Sequence, residues 1–197
     1  MFQLIQTLYW LALSTWFGGV LFIAIAAPIV FRTMREFNPT IPTILSVNLE
    51  NQHGTLLAGS IVANLLGVLL WLELACAGAL GLTILGQWFF VDRSGASLVS
   101  AILRTAMYAA AVGMLVYDRW FVWPKVWKFR QEYIDNADNP DVANPAKDQF
   151  DRYHAESVSV LRNVLFLLLG IILFSADIRA RSGFVIPPST PDATQSR

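Results

Sequence analysis

GTLLAGSIVANLLGVLLWLELACAGALGLTILGQWFFV, residues 54–91, carries one charged side chain, Glu73. In water such a run has no polar face to offer solvent; in a bilayer it needs none, provided its backbone is helical and hydrogen-bonded within itself. As one helix it would be roughly 57 Å long at 1.5 Å per residue, almost twice the hydrocarbon thickness of a membrane. The span is therefore expected at about 56–78. The glycine-rich remainder through 91 is expected as a helix extension or an interfacial segment.

Three more segments read the same way. Residues 1–31 are free of charged side chains, predicting a span over about 5–31 that ends near Arg32. Ala24-Ile25-Ala26-Ala27 resembles a cleavage site, but no basic stretch precedes the apolar run, the run is long, and Pro28 follows; the segment is read as a retained helix. The third span is expected at 97–123, where Tyr117, Trp120 and Trp123 suit a membrane interface and Pro124 stops or kinks the helix. The fourth is expected at 157–176. Between them, residues 125–153 hold many charges and two Asn-Pro pairs (139–140 and 144–145) and read as a charged loop. Residues 182–197, rich in Pro, Ser and Thr, read as a disordered tail. The fold class is thus an all-α integral membrane four-helix bundle, one transmembrane domain over 1–181.

Composition agrees. Only 14% of residues are charged, against about 25% in soluble domains, and mean hydropathy is +0.51. Acidic and basic residues balance, and no basic tract points to nucleic acid. A lone cysteine, Cys76, excludes a disulfide framework and a thiolate zinc cluster. The loops after spans one and three carry Arg32, Arg35, Arg119, Lys125, Lys128, Arg130, Lys147 and Arg152, against Arg93, Arg104, Arg179, Arg181 and Arg197 on the other side. The positive-inside rule makes the first set cytoplasmic. Small and polar residues at helical spacing, Ser14/Gly18, Ser60/Asn64/Gly67 and Ala106/Ala110/Gly113, read as packing seams.

Two constellations can carry chemistry. His53 and His154 open spans two and four, at the membrane face where spans one and three end. With Asp118, Arg119, Glu156 and Ser157 they form a candidate polar site. Two imidazoles from different helices can hold haem iron or another transition metal, with Asp118 or Glu156 assisting; the competing reading is interfacial capping and local ion pairs. On the opposite face, Glu73 and Arg104 read as an intramembrane ion pair, with a proton or ion path as the alternative. Asp135-x-x-Asp138-x-x-Asp141 lacks the alternating ligands of a calcium loop and reads as solvated. No nucleophile elbow, phosphate loop or dinucleotide fingerprint occurs.

Several local patterns recur in order along the spans: Trp16-x-Gly18 followed by Phe22 and Pro28-x-x-Phe31-Arg32, then Asp118-Arg119-Trp120-x-x-x-Pro124, then Phe150-x-x-Tyr153-His154-x-x-Ser157. Together they resemble the family of small four-helix membrane proteins that includes eukaryotic transmembrane protein 205 and bacterial relatives, over about residues 5–180. The resemblance implies a four-span bundle with no established enzymatic activity. It singles out Trp16, Gly18, Phe31, Arg32, Arg119, Trp120, Pro124, His154 and Ser157. The charged segment 125–153 and the tail depart from the family pattern. A bacterial inner-membrane location follows from the same resemblance. The functional expectation is a non-enzymatic binding or accessory bundle, a complex subunit or homo-oligomer in the bilayer. Its alternatives are the haem or metal protein and a small ion or solute channel or carrier.

Overall fold

The computed structural model describes residues 2–37, 39–41, 49, 52–90 and 96–175. Helix α1 covers Phe2–Phe37, α2 His53–Phe90, α3 Ala96–Tyr117, α4 Trp123–Asp135 and α5 Pro140–Ser175. A π-helical turn, Asp118–Val122, joins α3 to α4 without a break, so the chain forms four long rods. All four are long and apolar enough to cross a membrane, and no strand occurs among the described residues. At 1.5 Å per residue, the 36 residues of α1 and of α5 give rods of roughly 54 Å. Each therefore extends well beyond a hydrocarbon core of about 30 Å.

That overshoot corrects the expected boundaries. Residues 79–90 continue α2, which makes Glu73 a mid-helix residue rather than one near a membrane face. The charged segment 125–153 is helical and not a loop: α4 and the first turns of α5 occupy it, parted only by a turn at Asn136–Asn139. Packing overrides its polar composition. Val126, Ala143 and Ala146 are buried, Phe129 stacks on Tyr153 at 5.7 Å, and Lys125 lies over the same Tyr153 ring. Of the two Asn-Pro signals, Asn139-Pro140 marks a true boundary with Pro140 opening α5, while Pro145 is absorbed inside the helix. Asp135, Asp138 and Asp141 are exposed there. The tail 182–197 lies outside the described residues.

The rods pack as two pairs, α1 along α2 and the α3–α4 rod along α5, with α1 also touching α5. Tyr9, Leu13, Trp16, Leu80, Leu168 and Ile171 form the main core, each fully buried. A smaller cluster of Leu49, Leu56 and Ala137 closes the other end. The α2 backbone stays apart from the α3–α4 rod, and long side chains bridge the gap. The Tyr108 hydroxyl donates to the Ala77 carbonyl at 2.8 Å, Trp88 Nε1 to Thr105 at 3.1 Å, Tyr133 to Gln52 at 2.7 Å and Arg130 to Ser60 at 2.8 Å.

The expected packing seams are mostly on the outside. Ser14, Gly18, Asn64, Gly67, Ala106, Ala110 and Gly113 are exposed, and a Cβ on Gly18, Gly67 or Gly113 would meet nothing within 4 Å. The close approach of α1 and α2 is made instead at Gly54, where a Cβ would sit 2.5 Å from the Met34 carbonyl oxygen. Spacing identifies a small-residue stripe; it does not say which way the stripe faces.

Candidate functional site

Glu73 sits about 30 Å along α2, twenty residues from its start, and is 5% exposed. Its Oε1 accepts a hydrogen bond of 3.2 Å from the indole Nε1 of Trp16 on α1, itself fully buried. A buried indole needs an acceptor, and in an apolar span few exist. No cation joins the pair: the salt bridges among the described residues are Arg32–Glu36 and Lys147–Asp151, both at the surface. Among the described residues, Asp118 on another rod lies near enough to act electrostatically on Glu73. One turn along α2, the Cys76 thiol lies within the field of Glu73.

Asp118 opens the π-helical turn. The Trp123 N–H reaches back five residues to the Asp118 carbonyl, and Pro124 follows at once. Proline has no N–H for the ladder and its ring crowds the carbonyl four residues back, so a widened turn ahead of it lets the rod continue. Ser157 and Glu156 on α5, and Arg119 next in the chain, lie near enough to the Asp118 side chain to act on it. Its Oδ1 is nonetheless buried without a hydrogen-bond partner. Beside it the Tyr117 hydroxyl donates to Glu156 Oε1 at 2.5 Å. Asp118, Arg119, Glu156 and Ser157 of the expected polar site are thus brought together.

The histidines do not join them. His53 Nδ1 accepts the backbone N–H of Ile41 at 2.8 Å, at the far end of α2, and its Nε2 is buried with no partner. His154 stacks on Phe150 of its own helix at 5.5 Å. Among the described residues no group of three or more His, Cys, Asp or Glu side chains is placed to hold a metal ion.

The expected Glu73–Arg104 ion pair does not form. Arg104 bonds Gln87 Oε1 at 3.2 Å and the Ser100 carbonyl at 3.4 Å, and lies 5.9 Å from the centre of the Tyr9 ring. Gln87 is fourteen residues beyond Glu73, roughly 21 Å along the same helix. Because α2 continues past residue 78, the level of Arg104 is that of Gln87. Trp16, singled out by the family resemblance but given no role there, emerges as the hydrogen-bond donor of the site; the one carboxylate in a long apolar run was the signal that a donor had to be near it.

No family model, curated protein or solved structure matches the chain.

Proposed function

We propose that the chain is a non-enzymatic, multi-pass membrane protein that works as a binding or accessory subunit, associating laterally with copies of itself or with a protein partner. One observation carries this reading: the small-residue stripe Ala106, Ala110, Gly113 on α3 faces outward, with nothing near Gly113. Lipid tails are as apolar as leucine, so an exposed small residue gains little from lipid; what it permits is close backbone approach by another helix. Within the bundle small residues serve that purpose, as at Gly54 against α1. On α3 the approaching helix has to come from outside the chain.

Within the same proposal, the protein resides in a bacterial inner membrane, its charged α4–α5 end cytoplasmic by the positive-inside rule. Kinship with the family that includes transmembrane protein 205 belongs to it too and rests on the ordered motifs around Trp16, Asp118 and His154. Subunit counting by single-molecule photobleaching in liposomes tests it. The wild-type chain is expected above one copy per spot, or with a stoichiometric partner, and Gly113→Leu is expected to weaken that association at least tenfold. A wild-type chain that stays single and unpartnered sinks the reading.

The haem or metal alternative draws on the unpartnered Nε2 of His53, with His154 as the second ligand. An absorption spectrum and metal content of the detergent-purified protein decide it: a Soret band or stoichiometric metal lost in His53→Ala and His154→Ala supports it, and a colourless, metal-free chain removes it.

A further inference from the structure

We propose that the gap between α2 and α4 seats one phospholipid of the bilayer, its phosphate on the Arg130 guanidinium, an ester carbonyl on the Asn64 amide and an acyl chain laid along α2. The inference is independent of lateral association. It starts from a half-buried charge. Arg130 of α4 reaches across to α2, where its Nη2 donates to the Ser60 hydroxyl oxygen at 2.8 Å and to the Leu56 carbonyl at 3.2 Å. Both acceptors are neutral, and among the described residues no carboxylate pairs with Arg130. A guanidinium cannot shed its charge, and it has more N–H donors than these two acceptors use. Those on Nε and Nη1 remain for an anion, and a planar fork of donors fits a phosphate.

The space beside Arg130 is open. No Cα of α2 comes within 8 Å of one in the π turn or in α4. From the Arg130 bridge at Ser60 to the Tyr108 bridge at Ala77 is roughly 25 Å of helix, and no hydrogen bond crosses between them among the described residues. Asn64, Gly67 and Trp71 continue the face of α2 that carries Ser60. All three are exposed, and a Cβ on Gly67 would meet nothing within 4 Å. The Asn64 amide has no hydrogen-bond partner among the described residues, and an amide left bare in hydrocarbon is costly.

The depths agree. Ser60 and Gln87, the α2 partners of Arg130 and Arg104, lie twenty-seven residues or roughly 40 Å apart along the helix. A bilayer with its headgroup regions measures about 40–45 Å. The two arginines therefore stand at opposite headgroup levels. Arg130 lies 5.5 Å from the centre of the Trp127 ring, a side chain that favours this level. Asn64 is one turn, about 6 Å, deeper than Ser60, where the glycerol esters meet the hydrocarbon. The midplane falls near Glu73, so an acyl chain of one leaflet ends within the unbridged stretch. Arg104 is 9% exposed and enclosed by Gln87, Ser100 and Tyr9, which leaves the opening at Arg130.

Native mass spectrometry tests the site on the full chain, delipidated in maltoside and titrated with dioleoyl phosphatidylglycerol. One lipid per chain is expected to bind ahead of any further copy. Dioleoylglycerol has the same tails and no phosphate, and is expected to bind about tenfold more weakly, the loss of one charge-assisted hydrogen bond. Arg130→Gln is expected to weaken phosphatidylglycerol by about the same factor and Asn64→Leu by about fivefold. Lys128→Gln, which removes an exposed cation on the same helix, is expected to weaken it by no more than about twofold. Asn64 faces outward, so its variant reports on the site whether or not Arg130→Gln folds. Absence of a one-to-one complex, or equal binding of the two lipids, overturns the site. Wild-type affinity in Arg130→Gln overturns the phosphate contact, and in Asn64→Leu the ester contact. Displacement of the lipid by inorganic phosphate assigns the site to the free anion and overturns the lipid.

Discussion

Arg104 and Glu73 are both charged residues buried in apolar helices, and their surroundings are opposite. Arg104 has a carbonyl and an amide oxygen to donate to and the face of Tyr9 beside it. Its amide partner, Gln87, is in turn bonded to Gln6 of α1 at 3.4 Å, and Tyr9 bonds Ser175 of α5. Every rod thus contributes to the arginine end. Glu73 has one N–H, from Trp16, and another acid within reach. The difference follows from what each side chain can do. A guanidinium keeps its charge under all conditions, so its site has to be built from acceptors and a π-face. A carboxylic acid can discharge, so its site needs no counter-charge. One end of the bundle is organised around a permanent charge, the middle around a removable one.

Trp16→Ala breaks the comparison at its most costly point. The indole is both the only hydrogen-bond donor to Glu73 among the described residues and a fully buried part of the main core. Truncation leaves a cavity among Tyr9, Leu13 and Leu80, and the expected loss is about 3–5 kcal/mol. Titrating SDS into maltoside micelles and following helix content measures it. A loss under about 1 kcal/mol would show that α1 and α2 do not pack through this residue.

Gln87→Leu attacks the other centre. It removes the amide oxygen facing Arg104 and leaves a charge that cannot neutralise itself. Hydrogen bonds to charged groups contribute about 1.5–3 kcal/mol, and that range is the expected destabilisation in the same SDS titration. A neutral outcome would show that Ser100 and Tyr9 suffice, and the arginine end would then be no more demanding than the middle.

The four membrane spans were legible in the sequence; the helix ends and the helical course of 125–153 were not. Charge-free runs declare a membrane span because no other solvent tolerates them, but nothing local says where a helix stops once it leaves the bilayer. Gly78 reads as an end and is passed through. Asn144-Pro145 reads as a break and lies inside α5. These boundaries decide the site, since moving the end of α2 from 78 to 90 carries Glu73 away from Arg104 and toward Asp118. Grouping Asp118 with Glu156 and Ser157 was legible because antiparallel rods fix which ends meet. The Trp16–Glu73 bond joins residues 57 positions apart, and its register is set by Gly54 against Met34, a contact no sequence pattern announces.

The smallest effect is expected from Glu73→Gln, and it discriminates most sharply. A glutamine has the shape of a protonated glutamic acid and keeps an oxygen to accept from Trp16 Nε1. It exchanges one neutral donor, the acid O–H, for another, the amide N–H. If Glu73 rests in its neutral form, the substitution changes stability by less than about 0.5 kcal/mol in the SDS titration, within the range of an ordinary neutral replacement. If Glu73 rests as a carboxylate held by an unrecognised cation, removing its charge strands that cation in the core, and the cost rises to about 3–5 kcal/mol, as for a broken buried pair. The two outcomes lie far enough apart that a melt of modest precision separates them. Only the first is compatible with a centre built around a charge that can be taken off.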